Sequence, residues 1–232
     1  MFRGVFICLN ILSFTASAIP LSGTVYEKDT NRKNALYWWQ RIEEGDASAL
    51  KIKLVYTGLD NQEAVIENVL LENGKIKKYS IEHKQTNESG WLEVRDNKIF
   101  FEYTKEGKTK TSDEKLTENL VVTATVADFL AQNTETLMRG DTVSARLGVL
   151  DRRETVGFKF FKTGEGTLVG RETVTIKMKP TSFIIAAIVD PLLFTFDKNG
   201  MKILEISGRT MPKQLISGKW KDLDANTVYH WN

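Results

Sequence analysis

Apolar and polar residues alternate along most of the chain, with the period of strands rather than of helices. Leu50, Ile52, Leu54 and Tyr56 share one face of a segment whose other face carries Lys51 and Lys53, the pattern of a sheet with one buried side. Similar segments follow over 64–71 and 75–83. Asn73-Gly74 between them predicts a type I′ hairpin, because both central residues need positive φ. Trp91 to Val94, Asp96-Asn97, then Ile99, Phe101 and Tyr103 repeat the scheme, and Glu106-Gly107 turns into a polar strand holding Thr109 and Thr111. A meander is expected.

A second set of strands is read from Val143, Ala145, Leu147 and Val149, then from Val156, Phe158 and Phe160. Gly164-Glu165-Gly166 predicts a break before the regular alternation of Val174, Ile176 and Met178. The last predicted hairpin joins Leu192–Phe196 to Met201–Ile206 through Lys198-Asn199-Gly200. One amphipathic helix is predicted from about Thr125 to Met138, with Val126, Phe129, Leu130 and Leu137 on one side. Asp128 in its first turn and Gly140 after its end act as start and stop signals, and the helix is expected to plug or cover the sheet. The uncharged run from Phe183 to Val189 has two readings. It is a buried helical turn or core strand, or else a lid, built on Phe183, Ile184, Ile185 and Ile188, that closes a lipid pocket or dips into a membrane. It is too short to span a bilayer.

The first eighteen residues change the picture of where this sheet works. Arg3, an apolar stretch from Val5 to Phe14, and Ala16-Ser17-Ala18 before Ile19-Pro20 read as a secretory signal peptide over 1–18. Export is expected, with the periplasm as destination. Cys8 is the only cysteine and lies inside that stretch, so a chain cleaved after Ala18 has no disulfide, thiolate metal site or cysteine nucleophile. The remaining chain of about 210 residues is long enough to bury a core without staples. Lys+Arg number 32 against 30 Asp+Glu, with the signs interspersed, which gives no footprint for nucleic acid.

Candidate chemistry is sparse. His83 and His230 are the only histidines, and His83 closes a Lys- and Glu-rich strand while His230 stands near the end, so both are expected to be exposed. There is no G-x-S-x-G, H-E-x-x-H or G-x-x-x-x-G-K-[ST] pattern. Asp222-Leu223-Asp224 lacks the further oxygens a calcium site needs and reads as a polar turn. Asn87-Glu88-Ser89 is a glycosylation sequon, meaningful only in a eukaryotic secretory route. Tyr37-Trp38-Trp39, Trp220, Tyr229 and Trp231 are either core and interface aromatics or platforms for sugar rings; in a strand Trp38 and Trp39 face opposite sides. No catalytic residue, cofactor or metal ligand is assigned.

The segments Asp128-Phe129-Leu130 to Gly140-Asp141, Val149-Leu150-Asp151, Gly170-Arg171-Glu172, Phe194-Thr195-Phe196-Asp197 with Gly200, and Gly208-Arg209 resemble the exported bacterial proteins of the DUF3108 family. The resemblance covers the C-terminal half well and the N-terminal meander in outline. Phe194 and Phe196 stand where that family often has a tryptophan before its final aspartate, and the stretch from about Met211 to Asn232 is extra. It implies a fold similar to the LolA and LolB lipoprotein carriers: mainly β, a curved antiparallel sheet forming a half-barrel, with one or two short helices covering the concave face. The domain is then 19–210, followed by a tail over 211–232.

A concave sheet face is filled either by side chains or by ligand. The inward candidates for a ligand cavity are Phe158, Phe160, Val174, Ile176, Met178, Phe194 and Phe196. The expected function is non-enzymatic binding of a hydrophobic or lipid-like molecule in the cell envelope. The alternatives are an envelope interaction module with a filled core, docking a protein partner, and a carbohydrate-binding protein.

Overall fold

The computed structural model describes residues 22–187, 190–199 and 202–231. The signal segment 1–18, Cys8 and the lid residue Ile188 lie outside the described residues. Eight strands come first: β1 (Ser22–Glu27), β2 (Ala35–Gly45), β3 (Ala49–Gly58), β4 (Glu63–Glu72), β5 (Lys75–His83), β6 (Glu88–Arg95), β7 (Lys98–Lys105) and β8 (Lys108–Lys115). A short β9 (Leu120–Val121) leads through a 3-10 turn (Thr123–Thr125) into α1 (Val126–Gln132) and α2 (Thr134–Met138). Then come β10 (Val143–Val149), β11 (Glu154–Leu168), β12 (Arg171–Pro180), α3 (Phe183–Ala186), β13 (Leu192–Asp197), β14 (Ile203–Ile216) and β15 (Lys219–His230).

All fifteen strands form one curved sheet in the order β8 to β1, then β15 down to β9. This is an up-and-down meander in which the first and last strands pair, Ser22 opposite His230 and Glu27 opposite Ala225. The free edges, β8 and β9, are sequence neighbours joined only by residues 116–119. No main-chain ladder crosses that seam. Side chains do: Ser112 donates its hydroxyl to the Arg153 carbonyl, and the Thr155 N–H and hydroxyl both donate to the Glu114 carboxylate. β8 itself is polar and lysine-rich, a composition that protects an open edge from pairing with other chains.

Every neighbouring pair is antiparallel except β9 and β10. Strand direction therefore assigns each connection to one of two ends. The β1–β2, β3–β4, β5–β6, β7–β8, β10–β11 and β14–β15 connections and α3 lie at one end, called here the mouth; β1 begins and β15 finishes at the far end. α1 and α2 return the chain from the mouth to the far end, and they do so inside the curl, with Leu130 and Leu137 fully buried. The predicted single helix is broken at Asn133, and its Asp128 turns away from capping to meet Arg41.

Turn chemistry sets the register as expected. Asn73 and Gly74 have φ of 50° and 73°, the type I′ signature, and Asp96-Asn97 and Glu106-Gly107 turn the same way. Two expectations are corrected. Gly164-Glu165-Gly166 does not end a strand; it lies within β11, where the mismatch with β12 is absorbed as a bulge between Lys162 and Gly164. The stretch after Met211 is not a tail: it forms the end of β14 and all of β15, which joins β14 to β1.

Two hydrophobic clusters occupy the interior. One gathers Ile52, Tyr79, Leu92, Ile99 and Phe101 from β3 to β7; the other gathers Leu130 and Leu137 with Phe160, Ile176, Phe194 and Phe196 from α1, α2 and β11 to β13. They meet where β6 crosses close to β10. A Cβ built on Gly148 would stand 2.5 Å from Leu92 Cδ2, so a larger residue there would displace the buried Leu92 side chain. Because β15 is the sole link between β14 and β1, a chain truncated after residue 210 is expected to lose its cooperative thermal transition and its near-UV circular dichroism; retention of both would show that the rest folds without it.

Candidate functional site

Between the two clusters a cavity of about 730 Å³ opens at the mouth end. Its first wall is graded along the strands. On β5, Tyr79, Ile81 and His83 alternate inward toward the mouth. Across the sheet, register places Leu92 and Phe101 beside Tyr79, Gly90 and Tyr103 beside Ile81, and Glu88 beside His83. The polarity of the wall thus rises outward. The opposite wall is apolar, made by Leu147, Val156, Phe158 and Met178. Charged side chains from the β7–β8 and β10–β11 turns and from β14 surround the opening, among them Lys105, Lys108, Arg153 and Lys213.

A smaller recess of about 110 Å³ continues inward and shares Thr123, Leu147, Met178 and Leu192 with the main cavity. It reaches Leu54, Val126, Phe194 and Ile203. Gly90 shapes the mouth wall, since a Cβ there would stand 2.5 Å from the Tyr103 ring, which lies across the glycine. Tyr103 donates its hydroxyl to Glu88 at 2.7 Å, and Lys105 pairs with the same carboxylate at 3.1 Å. Burial opposes ionisation of Glu88, yet these two bonds hold its pKa below the ordinary value.

His83 is only 8 % exposed, and its Nδ1 has no hydrogen-bond partner among the described residues. Burial, with Lys213 nearby, lowers its pKa, so the ring is neutral at pH 7. The expectation of an exposed His83 is corrected: the period that carries Tyr79 and Ile81 inward carries His83 with them. His230 is exposed and meets the Thr24 hydroxyl at 3.2 Å.

Two buried charges that the sequence reading passed over organise the interior. Arg41, 4 % exposed, holds Asp128 of α1 through two bonds of 3.1 Å, meets Glu43 at 2.6 Å and donates to the Ala124 carbonyl at 3.2 Å. It ties the internal helix to β2. Burial nonetheless raises the Asp128 pKa against the attraction of Arg41. Glu67, 1 % exposed, accepts hydrogen bonds from Tyr79 at 2.7 Å and from the Thr123 hydroxyl, while its Oε1 has no partner among the described residues. Burial raises its pKa more than those two bonds lower it. Both positions were accessible to period counting: Trp39 and Arg41 share an inward face, as do Val65, Glu67 and Val69.

The expected cavity residues separate into two groups. Phe158 and Met178 line the main cavity, and Met178 and Phe194 line the recess. Phe160, Val174, Ile176 and Phe196 are fully buried in the packed cluster behind them. In α3, Ile185 lines the cavity while Phe183 and Ile184 are 89 % and 77 % exposed, so this stretch is neither a buried turn nor a core strand. Trp38 and Trp39 face opposite sides, Trp39 packing edge-on against Tyr229 with centroids 5.0 Å apart. Asp222 and Asp224 are engaged by Arg209, and Asp222 also by Lys213. Among the described residues no cluster of three His, Cys, Asp or Glu side chains is placed to hold a metal ion.

Among solved structures the chain is similar to a β-barrel-like protein of the domain of unknown function DUF1849 from Brucella abortus, at 10 % identity and a TM-score of 0.46, over 90 % of this chain and 94 % of that one. No family model matches the chain, and no curated protein matches it.

The Glu67 site yields a signed prediction. A carboxyl whose folded pKa lies above its unfolded value contributes stability that is complete below the unfolded value, near ~4.3, and is lost as pH rises through the folded value. Glu67→Gln removes that loss. Its melting temperature should therefore gain on the parent protein as pH rises from about 4 to 7. A pH-independent difference would show that Glu67 is not desolvated.

Proposed function

We propose that this chain is an exported cell-envelope protein that binds a hydrophobic or lipid-like ligand in the mouth cavity, without catalysing a reaction. One observation carries the reading: a cavity of about 730 Å³ whose apolar depth and polar opening share one wall. Small-molecule sites occupy ~300–1,000 Å³ and combine apolar lining with a few polar groups, which is the composition here. An acyl chain entering along Leu147, Phe158 and Met178 gains ~0.8 kcal/mol for each methylene taken from water. The recess toward Phe194 and Ile203 extends its path. The unpartnered Nδ1 of His83 offers a hydrogen bond to a polar group held near the opening.

The export signal over 1–18 and the likeness of the C-terminal half to DUF3108 proteins, and through them to LolA-type carriers, support the same reading. Among the described residues no helix is long and apolar enough to cross a membrane. α3 would act as the lid, with Ile185 on the cavity side.

Native mass spectrometry of protein purified from its envelope fraction, followed by organic extraction, tests this. A stoichiometric lipid-like mass is expected; a bare chain that also fails to take up added lipid would overturn the proposal. Leu147→Trp places an indole where the cavity and recess join. It should abolish ligand retention while leaving the melting temperature of the ligand-free protein within a few degrees of the parent, since the added volume enters open space rather than packed core.

A further inference from the structure

The mouth end is also where exposed apolar side chains collect. Of the nine large hydrophobic residues exposed among the described residues, six belong to connections or tips at that end: Leu59, Phe183, Ile184, Leu215, Ile216 and Trp220. Leu215, Ile216 and Trp220 are neighbours on one hairpin tip and Phe183 and Ile184 are adjacent on α3, and contiguous exposed apolar groups of this kind mark interaction surfaces. The β14–β15 tip reads Leu215-Ile216-Ser217-Gly218-Lys219-Trp220-Lys221. An apolar pair and a tryptophan thus share a hairpin tip with two exposed lysines, and neither lysine has an ion-pair partner among the described residues.

The hairpin is held over the mouth. Its Lys213 N–H donates to Gln85 Oε1 at 2.8 Å, and the Lys213 carbonyl accepts from the Tyr37 hydroxyl at 2.7 Å and from Gln85 Nε2 at 2.9 Å. Trp220 and Leu59 line one shallow groove beside it. α3 is continuous with the cavity, since Ile185 lines the interior while the preceding Phe183 and Ile184 point their surface outward.

We propose that the mouth end docks on an anionic bilayer surface, with Phe183, Ile184, Leu215, Ile216 and Trp220 in the interfacial layer and Lys219 and Lys221 on lipid head groups. This deepens the lipid-binding reading and rests on it for its purpose: the cavity opens toward the membrane from which its ligand comes. Tryptophan favours the head-group layer because its ring is apolar and its N–H polar, and lysines beside such a ring add attraction to acidic lipids. Shallow insertion of a few side chains gives reversible attachment rather than a span. Around the opening Glu88 is engaged by Tyr103 and Lys105 and Asp222 by Arg209 and Lys213, and the basic side chains there, among them Lys108, Lys110, Arg152 and Arg153, outnumber the acidic ones, Glu106, Asp151 and Asp190 included.

Sedimentation of the processed protein with vesicles tests the inference. One set is pure phosphatidylcholine and the other contains one quarter phosphatidylglycerol. Partition into the acidic vesicles is expected, weakened by 0.5 M salt. Lys219→Glu with Lys221→Glu should reduce it about tenfold or more, since each lysine near such a surface contributes ~1 kcal/mol. Phe183→Ser with Ile184→Ser should reduce it on both vesicle types. All four positions are exposed, so the fold is expected to persist, as an unchanged melting temperature would show. Parent protein that ignores both vesicles, or variants that partition as the parent does, would overturn the docking surface. So would concentration-dependent dimers that disappear in the tip variants without any vesicle binding, because the tip would then meet a second copy. The two proposals fail separately: lipid retained in native mass spectra without vesicle binding removes only the docking surface, and vesicle binding without retained lipid removes only the cavity ligand.

Discussion

A ring of fifteen strands encloses more space than inward side chains can fill, and the interior of this protein follows from that constraint. Small barrels close on their own side chains; wide ones hold water, a plug or a ligand. Here the chain uses part of itself as the plug, sending α1 and α2 back through the curl between β9 and β10. The one parallel pair, β9–β10, is where the chain leaves the strand meander and comes back. The helical return is the connection such a pair requires.

The plug fills only one side. Leu130 and Leu137 pack against β11 to β13, Leu92 closes onto Gly148, and the remaining volume opens beside β5 to β8. Buried charge fixes the plug in place. Removing Asp128 would leave the buried Arg41 guanidinium with only Glu43 and the Ala124 carbonyl, and would free the internal helix from β2. The Glu67–Tyr79–Thr123 cluster does the equivalent for the turn before α1, joining β4 and β5 to the first residues of the internal segment. The cavity is therefore bounded by polar ties as much as by apolar packing.

How much of this could be read from the chain divides along a physical line. Period-two alternation and Asn-Gly, Asp-Asn and Glu-Gly turns are local, and the strands, their hairpins and the mainly β class were legible from them. The pairing of β1 with β15 was not: it joins Ser22 to His230, and no local signal reports which distant edge a strand will meet. For that reason the last strand read as a tail. Inward charges were legible in principle, since Glu67 stands between Val65 and Val69 on one face, and Arg41 and His83 each continue a face from an apolar residue two positions back, Trp39 and Ile81. Polarity outweighed parity in reading them. Among the expected cavity side chains, alternation correctly identified which residues face inward but carries no information on which of those meet space and which meet the helix, so Phe158 and Met178 line the cavity while Phe160 and Ile176 do not.

The seam lies in the middle of the chain rather than at its ends, and this has a consequence for biogenesis. A chain made from its N-terminus completes the β1–β8 meander early through contacts between sequence neighbours, but leaves β1 as a bare strand edge until β15 has been synthesised. Under the proposed export, that interval overlaps with transit across the membrane. The last ladder to form, about two hundred residues after the first strand, is the one that covers the bare edge of β1 and joins the two halves into one curled sheet.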